Sequence, residues 1–342
     1  MNSNYISVSH FPLFSSHDYI NFLISSYGDV SCVKVAECFS ESGIPLSHDT
    51  INRFLTKMPL PLDTLWGEVE PFIDKYNGCL VVDDTIIDKP HSQYIELTCF
   101  QWSGKHRKVV RGIGLISLVW TDGFHTFPIS FRIYNKKKDN LSKNEHLREM
   151  LRIAADKGFN PNFVMFDSWY SSTENLALLR ELGWRWFARI KKNRLISLDN
   201  AENRHVSSVD IPYNGRVANL KKYGTVKLLR SRNKAKRICF WATNALEVDN
   251  EDRKTLQSIA WSIENYHRAL KELCCIEKCQ IRKEIGQRNH ILCSIMTFVK
   301  LVKLVIEQKE KEITAYKIKW NIRKKGIIGY LMTLDLCALN FF

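Results

Sequence analysis

A mixed α/β fold built on a central sheet is what this 342-residue sequence predicts, and three observations predict it. Two uninterrupted apolar runs, Cys79-Leu80-Val81-Val82 and Phe163-Val164-Met165-Phe166, lead into acids, Asp84 and Asp167. Such runs suit central strands covered on both faces, and ligand chemistry in open α/β sheets gathers at their carboxyl ends. The third observation is a helical stretch around Glu264. At about 100° per residue, Leu256, Ile259, Ala260, Ile263, Tyr266, Leu270 and Leu273 form one stripe, while Glu264, His267, Arg268 and Lys271 fall on the next. Two strand-end aspartates and a helix glutamate can hold two hard cations through oxygen ligands, as phosphoryl transfer requires. Asp83 adjoins Asp84 but points to the opposite face if the strand continues, and so reads as a neighbour rather than a ligand.

In chain order, residues 17–60 read as helical and allow a helix-turn-helix. Ser31 to Phe39 is followed by a turn at Glu41-Ser42-Gly43 and a second helix from Ser47, a good N-cap, through Ile51, Phe54 and Leu55. Arg53 and Lys57 are placed to reach phosphates or base edges, although the acidic balance of the segment equally suits a plain helical packing domain. After the first acidic strand, Val109 to Trp120 and Phe124 to Phe131 flank Thr121-Asp122-Gly123, a hairpin signal. Residues 134–143 read as a charged loop, Asn144 to Lys157 as a helix capped near Gly158, and Thr173 to Leu182 as a helix ending before Gly183. Trp186 to Ile190 is a further strand. Residues 195–245 then alternate short β-like runs with basic turns and read as a β-rich insertion. Helices over 253–284 and 288–315 and an apolar tail complete the chain.

Charge is distributed unevenly. The net charge is +14 and the isoelectric point about 9.3, a balance that favours a polyanionic partner without bearing on fold. Residues 185–237 hold fifteen Lys and Arg against Asp199, Glu202 and Asp210, whereas residues 1–80 hold four basic residues against nine acidic ones. The nucleic-acid surface is therefore expected in the centre of the chain. Ten cysteines lack zinc-ligand spacing, and without a signal peptide they suggest reduced thiols in the cytoplasm. The most apolar stretch, Ile291 to Ile306, contains Lys300 and Lys303 and is shorter than the roughly 20 residues of a membrane span, so it reads as a core helix.

These residues resemble those of bacterial insertion-sequence transposases of the DDE type, in the branch with a Tyr–Arg–Glu–Lys signature. The matching segments are Val82-Asp83-Asp84-Thr85, then Asp167-Ser168-Trp169-Tyr170-Ser171-Ser172 with Arg189-Ile190-Lys191-Lys192-Asn193, then Ile263 to Lys271 around Glu264. The resemblance implies a ribonuclease H-like catalytic core (77–194 and 246–315), interrupted by the β-rich basic insertion (195–245). A small helical N-terminal domain (1–76) and a helical C-terminus ending in a tail (316–342) would flank it. It implies Mg²⁺-dependent cut-and-paste transposition, with Mn²⁺ able to substitute and Asp84, Asp167 and Glu264 as catalytic metal ligands. Double-stranded DNA, as terminal inverted repeats and target, would be the partner of a homodimer, with no membrane involved. Lys271, Arg268 and His267 would contact phosphates near the cut, joined by Lys191 and Lys192, while Arg230, Arg232, Lys234, Lys236 and Arg237 would grip the backbone. The signature's Tyr and Arg fall at Gln257 and Ala260, a departure that favours one alternative, a DNA-binding descendant that no longer cuts; a metal-dependent nuclease without strand transfer is a second alternative. Trp169 and Tyr170 can each either stack on a base or pack behind the site.

Overall fold

The computed structural model describes residues 14–28, 30–199, 202–233, 235–308 and 313–339. The helices are α1 (Ser16–Ser25), α2 (Cys32–Glu41), α3 (His48–Lys57), α4 (Asp63–Val69), α5 (Lys136–Asp139), α6 (Lys143–Asp156), α7 (Thr173–Glu181), α8 (Asn250–Ala260), α9 (Ser262–Glu272), α10 (Glu284–Glu307) and α11 (Ala315–Leu339). The strands are β1 (Cys79–Asp88), β2 (Cys99–Ser103), β3 (Lys108–Thr121), β4 (Thr126–Tyr134), β5 (Phe163–Phe166), β6 (Trp186–Ile190), β7 (Leu195–Ser197), β8 (Arg204–His205), β9 (Arg216–Leu220), β10 (Gly224–Arg232) and β11 (Ile238–Thr243). The chain divides into two compact units, one of Leu62–His91 and Thr98–Arg268, the other of Met1–Pro61, Ser92–Leu97 and Ala269–Phe342.

The first unit holds one mixed sheet in the order β2-β3-β1-β5-β6-β11-β10-β9-β7-β8, with β4 also paired to β3. β1, β5 and β6 are parallel neighbours, and the other pairings are antiparallel. The apolar runs of β1 and β5 are buried at every position, as strands covered on both faces must be. The β3–β4 hairpin turns where Asp122 Oδ1 accepts the amides of Phe124 and His125, with Gly123 at φ +94°. Ser142 and Ser172 cap α6 and α7 by accepting the amides of Glu145 and Asn175. The basic segment 195–245 does not stand apart from the core sheet. Its last strand, β11, pairs with β6 from Phe240–Ile190 to Thr243–Phe187 and carries β10, β9, β7 and β8 outward.

The second unit is helical. Ser31 and Ser47 cap α2 and α3. Asn289 of α10 donates to the carbonyls of Leu55 and Met58 and accepts the amide of Leu60, each at 2.8 Å. The window of α10 apolar and long enough to cross a membrane is 67% buried within the fold, so the helix serves as a core. Two expectations need correction. The helix expected over 253–284 is interrupted at Trp261 and ends at Glu272. Leu273, Cys274, Cys275 and Ile276 are four consecutive apolar residues, more than one helical stripe can bury. The chain instead turns at Cys275 (φ +57°) and buries all four. Residues 315–339, expected largely as a tail, form α11. The helix is fastened by the buried Lys319, whose ammonium donates to the carbonyls of Leu23 and Leu273.

Candidate active site

The register of the strands sets which acids lie level with one another. β1 and β5 pair from Cys79–Phe163 to Val82–Phe166, so Asp83 and Asp167 leave the two strands at the same level. Residues paired across neighbouring strands point to one face. Asp83 is paired with Ser117 of β3. Ser117 is fully buried, and its Oγ lies 3.3 Å from Nε2 of His267 in α9. Asp83 therefore faces α9, the helix that carries Glu264 one turn before His267.

Asp84, paired with Ile116, points the other way. Its Oδ2 receives Lys143 Nζ at 2.5 Å, and its Oδ1 accepts the Tyr170 hydroxyl at 2.8 Å. The ion pair is largely buried, with side chains 18% and 20% exposed. Burial raises the Tyr170 hydroxyl and the Asp84 charge raises it further, so the phenol stays protonated and donates. Asp84 thus fastens the start of α6 and the loop after β5 to the underside of the sheet.

Charge repulsion gathers at the ends of β1 and β5. Desolvation holds the Asp83 carboxyl well above the usual carboxylate range, and the charges of Asp84, Asp167 and, least, Glu264 push it further. The Asp84 amide, donating at 2.8 Å, opposes this. Asp167 is also raised, first by desolvation and then by Asp84. The amides of Trp169 and Tyr170, at 2.7 and 3.4 Å, and the Arg189 charge pull it back. Oxygen donors with excess negative charge fit a hard divalent cation. Lys143 on Asp84 shows the demand for positive charge at this level of the sheet. Among the described residues no three His, Cys, Asp or Glu side chains are gathered tightly enough to hold an ion. Burial pushes the Cys79 thiol up to about 11 and the Cys293 thiol up to about 12, which disfavours their thiolate forms.

The expected DNA contacts separate into groups. His267 is corrected: it is 4% exposed and bonded under the helix, because it falls at the inner margin of the charged stripe. Lys271 is mostly covered and lies 3.4 Å from Glu277. Arg268, Lys191 and Lys192 are exposed, as are Arg230, Arg232, Lys236 and Arg237 on and between β10 and β11. Arg230 lies 3.4 Å from Asp210 in a pair open to solvent. Lys234 is outside the described residues. Sequence reasoning missed Lys143, which reads as a loop cation until α6 begins there. It also could not assign the direction of Asp83, because a strand apolar on both faces has no parity signal.

The class these features define is an α/β protein with an acidic site at the carboxyl ends of adjacent parallel strands. The chain belongs to the transposase DDE domain family, whose profile matches residues 77–299. No curated protein matches the chain. Among solved structures it is similar to a piggyBac transposase synaptic complex with hairpin DNA, determined by cryo-EM. The TM-score is 0.56 at 9% identity, covering 90% of this chain and 69% of that one, a likeness of fold alone.

Proposed function

We propose that the chain is a DNA transposase that cuts at the ends of a mobile element and joins the freed ends to target DNA. The observation that carries this reading is the acidic face. Asp83 points toward α9 and the Glu264 helix, level with Asp167, in a chain of the DDE transposase family. The sequence alone points to Asp84 as the first carboxylate, and the register favours Asp83, with Asp84 as its anchored neighbour. A ribonuclease H-like core is the reading of the sheet that fits this role.

Asp83, Asp167 and Glu264 are the residues that would hold two Mg²⁺ ions, or Mn²⁺ in their place. When bound, the ions supply the positive charge that stabilises the attacking and leaving oxygens of an in-line displacement at phosphorus. The chain orients this chemistry. The Trp169 and Tyr170 amides aim Asp167, and a bound cation would compensate the desolvation and neighbouring charges that raise the Asp83 carboxyl. Hydrolysis breaks the bond between phosphorus and a 3′ oxygen. That oxygen, as a 3′-OH, then attacks a target phosphorus and displaces a second 3′ oxygen. Arg268, Lys271, Lys191 and Lys192 would contact phosphates beside the cut, and the β10–β11 cations would track the backbone. Joining two ends calls for two copies on DNA. A reducing cytoplasm, where the element's DNA lies, suits the nine free thiols among the described residues.

Incubating the purified protein with Mg²⁺, labelled terminal-repeat duplex and a target plasmid tests the reading. Joined product is expected. Cut product alone would make it a nuclease. Bound but uncut DNA would make it a non-cutting descendant, the reading favoured by Gln257, whose Oε1 accepts from Arg253 at 2.7 Å within α8.

A further inference from the structure

We infer that the outer face of the β2–β3 hairpin is a platform for single-stranded DNA, on which successive bases stack against Phe100 and Trp102 while Lys105 and Arg107 meet the phosphates. The inference goes beyond the proposed cleavage and does not rest on it, because the hairpin holds none of the acids. Trp102 is paired with Val109 and Asp83 with Ser117, so eight residues of β3, about 27 Å, separate the two levels.

Phe100, Trp102 and Val109 share a face, because Phe100 is paired with Arg111 and Trp102 with Val109. Phe100 is 73% exposed and Trp102 66%, with Val109 exposed beside them. Two aromatic rings and a valine left together in water mark an interaction surface. The patch is held in place. Arg111 Nε donates to Thr98 Oγ1 at 3.2 Å, and its guanidinium lies 5.8 Å from the Phe100 ring centroid. At the turn the His106 amide donates to Ser103 Oγ at 3.3 Å, and His106 Nε2 lies 2.9 Å from Asp88 Oδ2 at the end of β1. β2 also begins the sheet order, so among the described residues no strand pairs with its other edge.

Charge and spacing choose the occupant. Residues 98–121 contain Lys105, Arg107, Lys108 and Arg111 and no Asp or Glu. Asp88, which reaches the turn, is engaged by His106. This unmatched charge suits a polyanion, whereas a second copy would bring the same cations. A duplex presents its phosphates and keeps its base faces covered, which would leave Phe100 and Trp102 in water. Two residues along a strand set the aromatic side chains about 7 Å apart, twice the roughly 3.4 Å step of a duplex strand. Only a strand free to unstack can lay consecutive bases on both rings. Membership of the transposase DDE domain family makes DNA the strand that this chain meets.

The test uses the full-length protein in metal-free buffer. Fluorescein-labelled oligothymidylate is the single-stranded probe, and the same strand annealed to oligodeoxyadenylate is the duplex. Wild-type protein is expected to bind the single strand, and Trp102→Ala and Phe100→Ala should each weaken that binding roughly tenfold or more. Trp102→Phe should retain part of the affinity. Duplex affinity should change less than about twofold and thermal unfolding little, since exposed rings contribute little packing. Lys105→Gln and Arg107→Gln should each flatten the plot of log single-strand affinity against log salt by about 0.7. Single-strand binding that survives loss of both rings, or an equal loss for the duplex, overturns the platform. Polyglutamate that competes as well as unlabelled oligothymidylate also overturns it, in favour of an acidic protein. Dissociation of a DNA-free oligomer by Trp102→Ala overturns it in favour of a second copy. Cleavage of terminal-repeat DNA is read separately and decides the proposed function on its own.

Discussion

Asp83 and Asp84 are adjacent residues of the same strand, and the fold treats them oppositely. Asp84 meets an ammonium and a phenol on the α6 side, where its charge is matched and its geometry held. Asp83 faces α9, desolvated and within the field of three other carboxylates, with the Asp84 amide donating to it. A matched carboxylate contributes stability. An unmatched one costs stability and stays available for a cation. Burial and partner, rather than the presence of an acid at a strand end, therefore distinguish a structural carboxylate from a candidate ligand.

Neutralising each acid in turn separates the two roles most strongly. Asp83→Asn, Asp167→Asn and Glu264→Gln are each expected to lower cleavage of terminal-repeat DNA at least about a hundredfold while duplex binding persists. Asp84→Asn should lose less than about tenfold in cleavage among the molecules that remain folded. A complete loss in Asp84→Asn, with near-normal cutting by Asp83→Asn, would move the site to the α6 side and restore the reading suggested by sequence alone.

Stability should run the other way. Lys143→Met leaves the Asp84 carboxylate largely buried and held by Tyr170 alone, so denaturant unfolding should show a loss of about 2 kcal/mol, and Tyr170→Phe about 1 kcal/mol. For Asp83 the carboxyl is raised in the folded state, so between the ordinary value, about 3.9, and the raised one the native protein binds more protons than the unfolded chain. Its stability therefore falls as pH rises through that window. Asp83→Asn should be more stable than wild type at pH 7, with the gain shrinking toward pH 4. A variant less stable than wild type at pH 7 would show that Asp83 has a partner that matches its charge. Adding Mg²⁺ should raise the melting temperature of the wild type more than that of Asp83→Asn.

The smallest effects belong to the solvated cations. Breaking the exposed Arg230–Asp210 pair should change stability by no more than about 0.5 kcal/mol. Reversing Arg230, Arg232, Lys236 and Arg237 should instead flatten the plot of log affinity for any duplex against log salt, by about 0.9 for each phosphate no longer neutralised. An unchanged slope would move the DNA grip away from β10 and β11.

Local chemistry made several parts of this protein legible from its amino acids. Buried strands can be read in Cys79–Val82 and Phe163–Phe166 because each side chain in them is apolar. The start of α3 can be read at Ser47 because a side-chain oxygen must meet otherwise unpaired amides. The acids at the strand ends and the charged stripe of α9 were visible for the same reason. Which of two neighbouring aspartates lies on the α9 side of the sheet depends on tertiary pairing, because a strand covered on both sides carries no alternation to read. The partnership of Lys143 with Asp84, 59 residues away, and the joining of the basic segment to the core sheet through β11 likewise depend on pairings between distant parts of the chain. His267 turned inward and Trp169 remained outward for a related reason. Their side-chain chemistry permits either position, and the packing of α9 on Ser117 and the hydrogen bonds of the Asp167 loop selected one.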